Sequence, residues 1–300
     1  MHGRDDMRQE HGILLIGGLG LLGGALIAEL NRSRRAYVAP SPEEMDLRRS
    51  GAVFGWMDRN PPAAVINAAA YTDVVRAEED DQQDEVWRLN RDAPRELAAA
   101  CAGRGVPLIH VSTDFVFDGG KEAPYREEDP VSPLQVYGSS KLEGERAVLD
   151  ELPTAAVVRT STLFGPGRRD RPHYVDAVLS RARRGVPLEL VRRPVSSPAY
   201  APDLARALLL LLDAEGSGIF HVANRGSCSR IELALEAMRL AGPDFAADVV
   251  ERPEQPGGPP RPPYSVLDTS RFTARCGQKT RTWQEALAEY IRDHGPGRTA

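Results

Sequence analysis

A chain of 300 residues with 41% hydrophobic and 27% charged residues has the length for one large domain or two small ones and an ordinary globular composition. Its 43 acids against 38 bases give a formal net charge of −5, so the basic excess of a general nucleic-acid binder is missing. Three widely spaced cysteines, Cys101, Cys228 and Cys276, make no Cys-x-x-Cys pair; they read as scattered thiols in a reducing compartment, neither a zinc site nor a redox couple.

In chain order, residues 1–12 are polar and charged, lack the apolar core of a signal peptide, and are expected to be a disordered leader. An apolar run at 13–16 ends in glycines and predicts a strand, and 21–30 predicts a helix. Further strands are expected at 36–39, 64–66, 108–111 and 155–158, with helices between them, most clearly 86–102 and 139–149. Alternating strand and helix argues for crossover units and a parallel sheet covered on both faces. Past about residue 159 the pattern changes. A helix is expected at 203–212 and a strand at 218–222. The proline-rich segment 252–264 can be neither a continuous helix nor a central strand. A strand-like 265–267 and a helix at 283–292 follow it, so the segment reads as a loop within the domain. The apolar run 208–212 is far too short to span a bilayer, and a cytoplasmic location with no membrane or nucleic-acid partner is the expectation.

Between the first strand and first helix stands Gly17-Gly18-Leu19-Gly20-Leu21-Leu22-Gly23. Gly17, Gly20 and Gly23 suit a tight turn over which a pyrophosphate approaches the free N–H groups of a helix start. The tip of the second strand often selects the cofactor, an acid for a ribose 2′-hydroxyl and a base for a 2′-phosphate. Here it reads Pro40-Ser41-Pro42, with Arg34 and Arg35 before it and Glu43 and Glu44 after it. NAD and NADP both remain open, with NADPH slightly favoured.

Tyr137 and Lys141 stand four apart, which on a helix is one face. An ammonium beside a phenol favours phenolate, and the pair can protonate a carbonyl oxygen while the lysine holds a nicotinamide ribose. Thr113, at the end of the 108–111 strand, supplies a hydroxyl on the side of a parallel sheet where ligands bind. Glycines, hydroxyl and Tyr-x-x-x-Lys occur in the order of a nicotinamide-dependent reductase.

Longer segments carry a resemblance. Ile66-Asn67-Ala68-Ala69-Ala70-Tyr71-Thr72, Ser112-Thr113-Asp114-Phe115-Val116-Phe117-Asp118-Gly119 and Val136-Tyr137-Gly138-Ser139-Ser140-Lys141-Leu142-Glu143-Gly144-Glu145 resemble dTDP-4-dehydrorhamnose reductases. So do Ser197-Pro198-Ala199-Tyr200 and Arg261-Pro262-Pro263-Tyr264-Ser265-Val266-Leu267-Asp268-Thr269. The resemblance runs from about residue 13 to residue 291. It implies an extended short-chain dehydrogenase/reductase: an α/β fold with a Rossmann-type, doubly wound parallel sheet and a smaller C-terminal substrate domain. The expected division is 13–165, joined again by 195–223, for the NAD(P) domain, and 166–194 with 224–300 for the nucleotide-sugar domain.

The resemblance also implies reduction of the C4 ketone of a dTDP-linked 4-keto-6-deoxysugar. Gly20, Leu21 and Leu22 would cradle the cofactor diphosphate, Asp46 and Leu47 would lie by the adenine, and Ala69, Ala70, Tyr71 and Thr72 would line the cofactor strand. Thr113, Tyr137 and Lys141 would be the catalytic set, with Asp114 near the sugar. The chain departs from the family where Thr-Ser-Trp is common and Thr160-Ser161-Thr162 stands here. Ser196 replaces a glycine, and His173-Tyr174 an Asn-Phe pair. Thr162 therefore marks an altered sugar pocket, fitting a related keto-deoxysugar of secondary-metabolite tailoring as well as 4-dehydrorhamnose.

Scattered histidines, including His110 and His221 in apolar strands, predict no metal site. The acids at 78–81 read as a solvated face. Arg168, Arg169 and Arg171 form either a solvated loop or a clamp for the nucleotide diphosphate. Trp283 and Tyr290, seven apart, read as core. Two other functions fit this fold: a catalytically silent NAD(P)-binding regulatory subunit, and a sugar-nucleotide epimerase or dehydratase. A monomer or homodimer is expected.

Overall fold

The Ile-Leu-Leu-Ile run forms strand β1 (Ile13–Ile16), buried along its whole length. Its alternate side chains serve opposite faces: Ile13 and Leu15 enter one apolar core, Leu14 and Ile16 another. Ala156 and Val158 against Val157 repeat this division on a strand further along the chain. A sheet with apolar residues on both faces must be covered on both, and helices do so here. The computed structural model describes residues 12–167, 173–252 and 257–295.

After β1 come α1 (Leu21–Arg32), β2 (Tyr37–Val38), α2 (Ala52–Arg59) and β3 (Ala64–Asn67). Next are α3 (Gln83–Trp87), a π-helical turn (Arg88–Asp92), α4 (Ala93–Ala102), β4 (Leu108–Thr113), a 3-10 turn (Asp114–Val116), α5 (Val136–Glu151) and β5 (Ala156–Thr160). The remainder is β6 (Leu163–Phe164), α6 (Tyr174–Arg183), β7 (Leu188–Val191), β8 (Val195–Ser196), β9 (Ala199–Tyr200), α7 (Ala201–Asp213), β10 (Gly218–His221), β11 (Cys228–Ser229), α8 (Arg230–Ala241), β12 (Val249–Arg252), β13 (Tyr264–Ser265), α9 (Ser270–Cys276) and α10 (Trp283–His294).

Six strands form one sheet in the order β2-β1-β3-β4-β5-β10, every neighbouring pair parallel. This is the Rossmann-like fold expected. The chain winds outward from β1 to β2, then returns to β3 on the other side, so the order reverses between β1 and β3. Ligands of such sheets bind outside the carboxyl ends of the strands at that reversal. A separate apolar core joins α6, β7, α8 and α10 around Phe164, Leu179, Leu233 and Leu287. Trp283 and Tyr290 belong to it, as their spacing requires.

Several expected elements have different bounds, each for a local reason. β2 has only two residues, because Pro40 and Pro42 cannot continue it. α5 begins at Val136, not at 139, which brings Tyr137 onto the same helix as Lys141. Its N-cap, Gln135, makes no side-chain cap, so the sequence carried no start signal. The 86–102 helix begins earlier and is interrupted by the π turn. Three helices, α6, α8 and α9, were not expected; the capping box of Ser229 and Glu232 before α8 was a clear signal for one of them. Among the described residues no helix is long and apolar enough to cross a membrane. The expected leader lies outside the described residues except for Gly12.

Candidate active site

The glycine turn lies at the carboxyl end of β1. Gly17 has φ +87, and a Cβ there would stand 2.7 Å from the Ala69 nitrogen. A Cβ on Gly23 would reach 2.0 Å from the Gly17 carbonyl oxygen. These two glycines let α1 sit directly on the turn and on the β3 loop. Gly20 differs: a Cβ there would meet only the Gly17 oxygen, at 3.4 Å. It faces open space at the start of α1, where no side chain caps the helix. The first-turn N–H groups, those of Leu21 and Leu22 among them, are thus available to an anion. The cradle fits a diphosphate.

Ala69 and Ala70 are half-buried after β3, and the Tyr71 N–H donates to the Asn90 Oδ1 at 2.8 Å. Thr72 is exposed. Leu47 is buried with Met45 and Trp56, and the Asp46 carboxylate accepts from Arg48 at 2.9 Å. At the tip of β2 the Ser41 N–H donates to Glu44 at 2.8 Å. Arg34 and Arg35 are not there. They line a hollow of about 900 Å³ at the opposite end of the sheet, with Arg35 forked onto Asp213. The hollow beside the tip is lined by Glu43 and Glu44 and also by Arg48 and Arg49.

Thr113 is the last residue of β4 and 7% exposed. Its hydroxyl accepts from the Phe115 N–H and donates to Asp114, both at 3.2 Å. Asp114 also accepts from Ser161 at 2.8 Å and from Ser265 at 2.6 Å. This buried carboxylate joins β4, the end of β5 and β13 through three hydroxyls; it does not open toward a sugar as a free acid. Burial pushes it up to about 6 against those hydrogen bonds. Tyr137 packs edge-on against Phe115 with ring centroids 6.0 Å apart. Burial pushes its phenol up to about 12, offset in part by the Thr113 hydroxyl beside it. The expectation of a tyrosine lowered by the lysine is therefore not met in this arrangement: the phenol keeps its proton across the neutral range.

Lys141 is 2% exposed. Its Nζ donates to the Val111 carbonyl at 2.7 Å and stands 3.4 Å from His110 Nε2. Burial lowers it to about 8, with Glu145 acting in the opposite sense. α5 buries Ser140, Lys141 and Glu145, groups that are costly to desolvate unless each is bonded. Glu145 accepts from Ser112 at 2.5 Å and from Arg159 at 2.7 Å. Ser140 accepts from Asn90 at 3.0 Å. Gly144 allows this contact, since a Cβ there would lie 2.0 Å from the Asn90 carbonyl oxygen. Asn90 sits in the π turn and also donates to the Tyr71 carbonyl at 3.1 Å; such turns recur at functional sites.

The sequence reading missed two arginines. Arg230 opens α8, with its guanidinium 4.8 Å over the Tyr174 ring, while Tyr174 donates to the Arg230 carbonyl at 2.7 Å. Its buried Nε has no partner. Arg261 is half-buried and shares its field. Burial lowers both, and Arg230 lowers Arg261 further. Neither makes an ion pair among the described residues. Arg230 lies in the field of Asp114, and Arg261 in that of Arg230; guanidiniums with unbonded donors are candidates for an anion. Arg168, Arg169 and Arg171, the arginines singled out by sequence, lie outside the described residues.

Two of the departures from the family pattern meet: the Thr162 hydroxyl stands 3.5 Å from that of Ser196. His173 turns inward, bonding the Gly165 carbonyl at 2.6 Å and the Tyr290 hydroxyl at 3.2 Å. Gln135, buried beside Tyr137, has neither end of its amide bonded. Among the described residues no group of His, Cys, Asp and Glu could hold a metal ion.

Residues 11–295 match the family described as RmlD substrate binding domain. A dTDP-4-dehydrorhamnose reductase of Streptomyces griseus is 36% identical, covering 92% of this chain and 91% of its own. A probable dTDP-4,6-dihydroxy-2-methyloxan-3-one 4-ketoreductase of Streptomyces antibioticus is 35% identical over 93% of this chain and 94% of its own. Among solved structures, a Bacillus anthracis dTDP-4-dehydrorhamnose reductase in complex with NADP superposes with a TM-score of 0.88 at 26% identity, covering 94% of this chain and 99% of that one.

Proposed function

This chain belongs to the RmlD substrate binding domain family, and on that premise we propose that it is a nicotinamide-dependent reductase of the C4 ketone of dTDP-linked 4-keto-6-deoxysugars. The observation that carries the reading is Tyr137, whose phenol stands beside the Thr113 hydroxyl at the carboxyl edge of the sheet, four residues from Lys141 on one helix. NADH or NADPH, when bound, supplies hydride to the ketone carbon. Tyr137 gives its proton to the carbonyl oxygen, which becomes the C4 hydroxyl, and is left as phenolate. Thr113 would orient that oxygen by turning its one hydroxyl hydrogen to it from Asp114. Asp114 fixes the Thr113 hydroxyl and is committed to three hydroxyls; an epimerase or dehydratase would need a second free acid or base. The segments 13–165 and 195–223 would carry the cofactor, and 166–194 with 224–300 the nucleotide sugar.

The test is NAD(P)H oxidation with dTDP-4-keto-6-deoxyglucose, with and without an added 3,5-epimerase. Turnover is expected on more than the epimerised sugar, because Thr162 and Ser196, their hydroxyls 3.5 Å apart, stand where the family resemblance implies tryptophan and glycine. Reduction of no dTDP-linked C4 ketone by a chain that binds the cofactor would leave the silent-subunit reading in its place.

Two substitutions divide the site. Gly20→Val is expected to weaken NAD(P)H binding by about 100-fold, close to 2.7 kcal/mol, with an almost unchanged unfolding midpoint, because the added Cβ meets only the Gly17 carbonyl oxygen, at an ordinary contact distance of 3.4 Å. Fluorescence titration and thermal unfolding check the two halves; unchanged affinity removes the diphosphate from this turn. Arg230→Met is expected to raise the KM for the nucleotide sugar by about 10-fold or more through the lost diphosphate contact. NAD(P)H affinity should stay constant. Equal losses for both ligands would mean that Arg230 supports the fold and not the substrate.

A further inference from the structure

His110 reads in sequence as an ordinary core histidine, and it is fully buried. Its neighbours fix more than its position. Sheet register sets Asn67 of β3 directly beside His110 of β4. The Ala69 N–H donates to the Asn67 Oδ1 at 3.1 Å, which settles which end of that amide is oxygen. The Asn67 Nδ2 therefore faces His110 Nδ1, 3.1 Å away, as a donor. A neutral imidazole that accepts at Nδ1 carries its proton on Nε2. Burial, with Lys141 adding to it, keeps the ring neutral. The Nε2 hydrogen then points at the Lys141 Nζ, 3.4 Å away.

We propose that Asn67 and His110 are positioning residues that lock this tautomer, present an N–H and not a lone pair to Lys141, and so disfavour its ammonium form. An amine at Nζ accepts from Nε2–H with its lone pair and donates one hydrogen to the Val111 carbonyl. An ammonium keeps the bond to Val111 but has no lone pair, so two N–H groups confront each other. Reversing the histidine tautomer would require Asn67 to turn its NH₂ onto the Ala69 N–H. The remaining groups around the lysine do not remove the conflict. Tyr137, on the same helix, keeps its proton. Asp114 lies beyond Tyr137. Glu145, one turn further along, favours the ammonium but is divided between Ser112 and Arg159. Burial lowers the lysine to about 8 against Glu145, and the facing N–H acts in the same direction as burial. On the reductase reading, turnover then loses the lysine charge on an alkaline limb set by this lock.

Lysine NMR tests the lock without substrate, so it stands or falls independently of the reductase reading. The chain has only three lysines, Lys121, Lys141 and Lys279, and with ¹³C-lysine the signal missing from Lys141→Arg identifies Lys141. In the wild-type chain its titration midpoint is expected near 8. Asn67→Asp accepts from Ala69 but cannot donate to His110, so Nδ1 takes the proton and Nε2 turns a lone pair to the lysine. His110→Gln removes the N–H without adding charge. Each should raise the midpoint by about one pH unit, a ten-fold gain in proton affinity. A wild-type midpoint near the ordinary value of about 10.4 overturns the proposal. So does a rise in Asn67→Asp alone, which added charge explains, or no rise in His110→Gln. If Asn67→Asp does not fold, the wild-type and His110→Gln titrations decide.

Discussion

Tyr137→Phe is expected to lower turnover by about 10²–10⁴-fold and to leave cofactor affinity almost unchanged. The ring and its edge contact with Phe115 remain, so packing is kept; only the proton and the hydroxyl are lost. The direction of the phenol shift matters. Burial raises Tyr137 to about 12, so it is protonated at every working pH below that and is the acid for reduction, not the base. The pH dependence of wild-type turnover between about 6 and 9 should therefore not follow Tyr137. It should follow groups whose midpoints fall there, Lys141 at about 8 and Asp114 at about 6. Stopped-flow or steady-state NAD(P)H oxidation across pH checks both points. A Phe variant with near-normal turnover would remove Tyr137 as the proton donor and require another acid.

The sequence disclosed what is local. Strand, glycine turn and helix start at residues 13–23 are contiguous, so their meaning survives without tertiary information. Tyr137 and Lys141 are four apart, and any helix brings them to one face. What it hid depends on distant segments. Arg230 and Arg261 come into each other's field only when α8 and the loop before β13 meet. The tautomer of His110 is set by Asn67 through the β3–β4 register, which no periodicity announces. Arg34 and Arg35 look close to the cofactor in sequence because they adjoin β2, yet a strand has two ends and they stand at the wrong one. Asp114, expected near the sugar, also accepts from the hydroxyls of Ser161 and Ser265, the latter contributed from far along the chain.

Glu145→Gln is expected to destabilise the chain by about 3–5 kcal/mol. Glu145 and Arg159 are each only 2% exposed at their side chains. Arg159 already has one terminal nitrogen without a partner, and its other nearby support is the face of Phe117, 5.2 Å from the guanidinium centre. An amide matches the carboxylate in size but cancels the charge, so the variant isolates the loss of compensation for a buried cation. Restoring neutrality should recover most of the loss: Glu145→Met with Arg159→Met removes both charges, and apolar replacement of a whole buried pair is often neutral or stabilising. The single change should also lower turnover beyond its effect on stability. Ser112, which donates to Glu145 at 2.5 Å, is the residue before Thr113, and the pair thereby braces the strand end that carries the hydroxyl. Chemical unfolding of the two variants, with turnover measured well below their unfolding midpoints, separates the two effects. A single variant as stable as wild type would mean that Arg159 finds solvent or another partner, and that this pair does not hold α5 against β4 and β5.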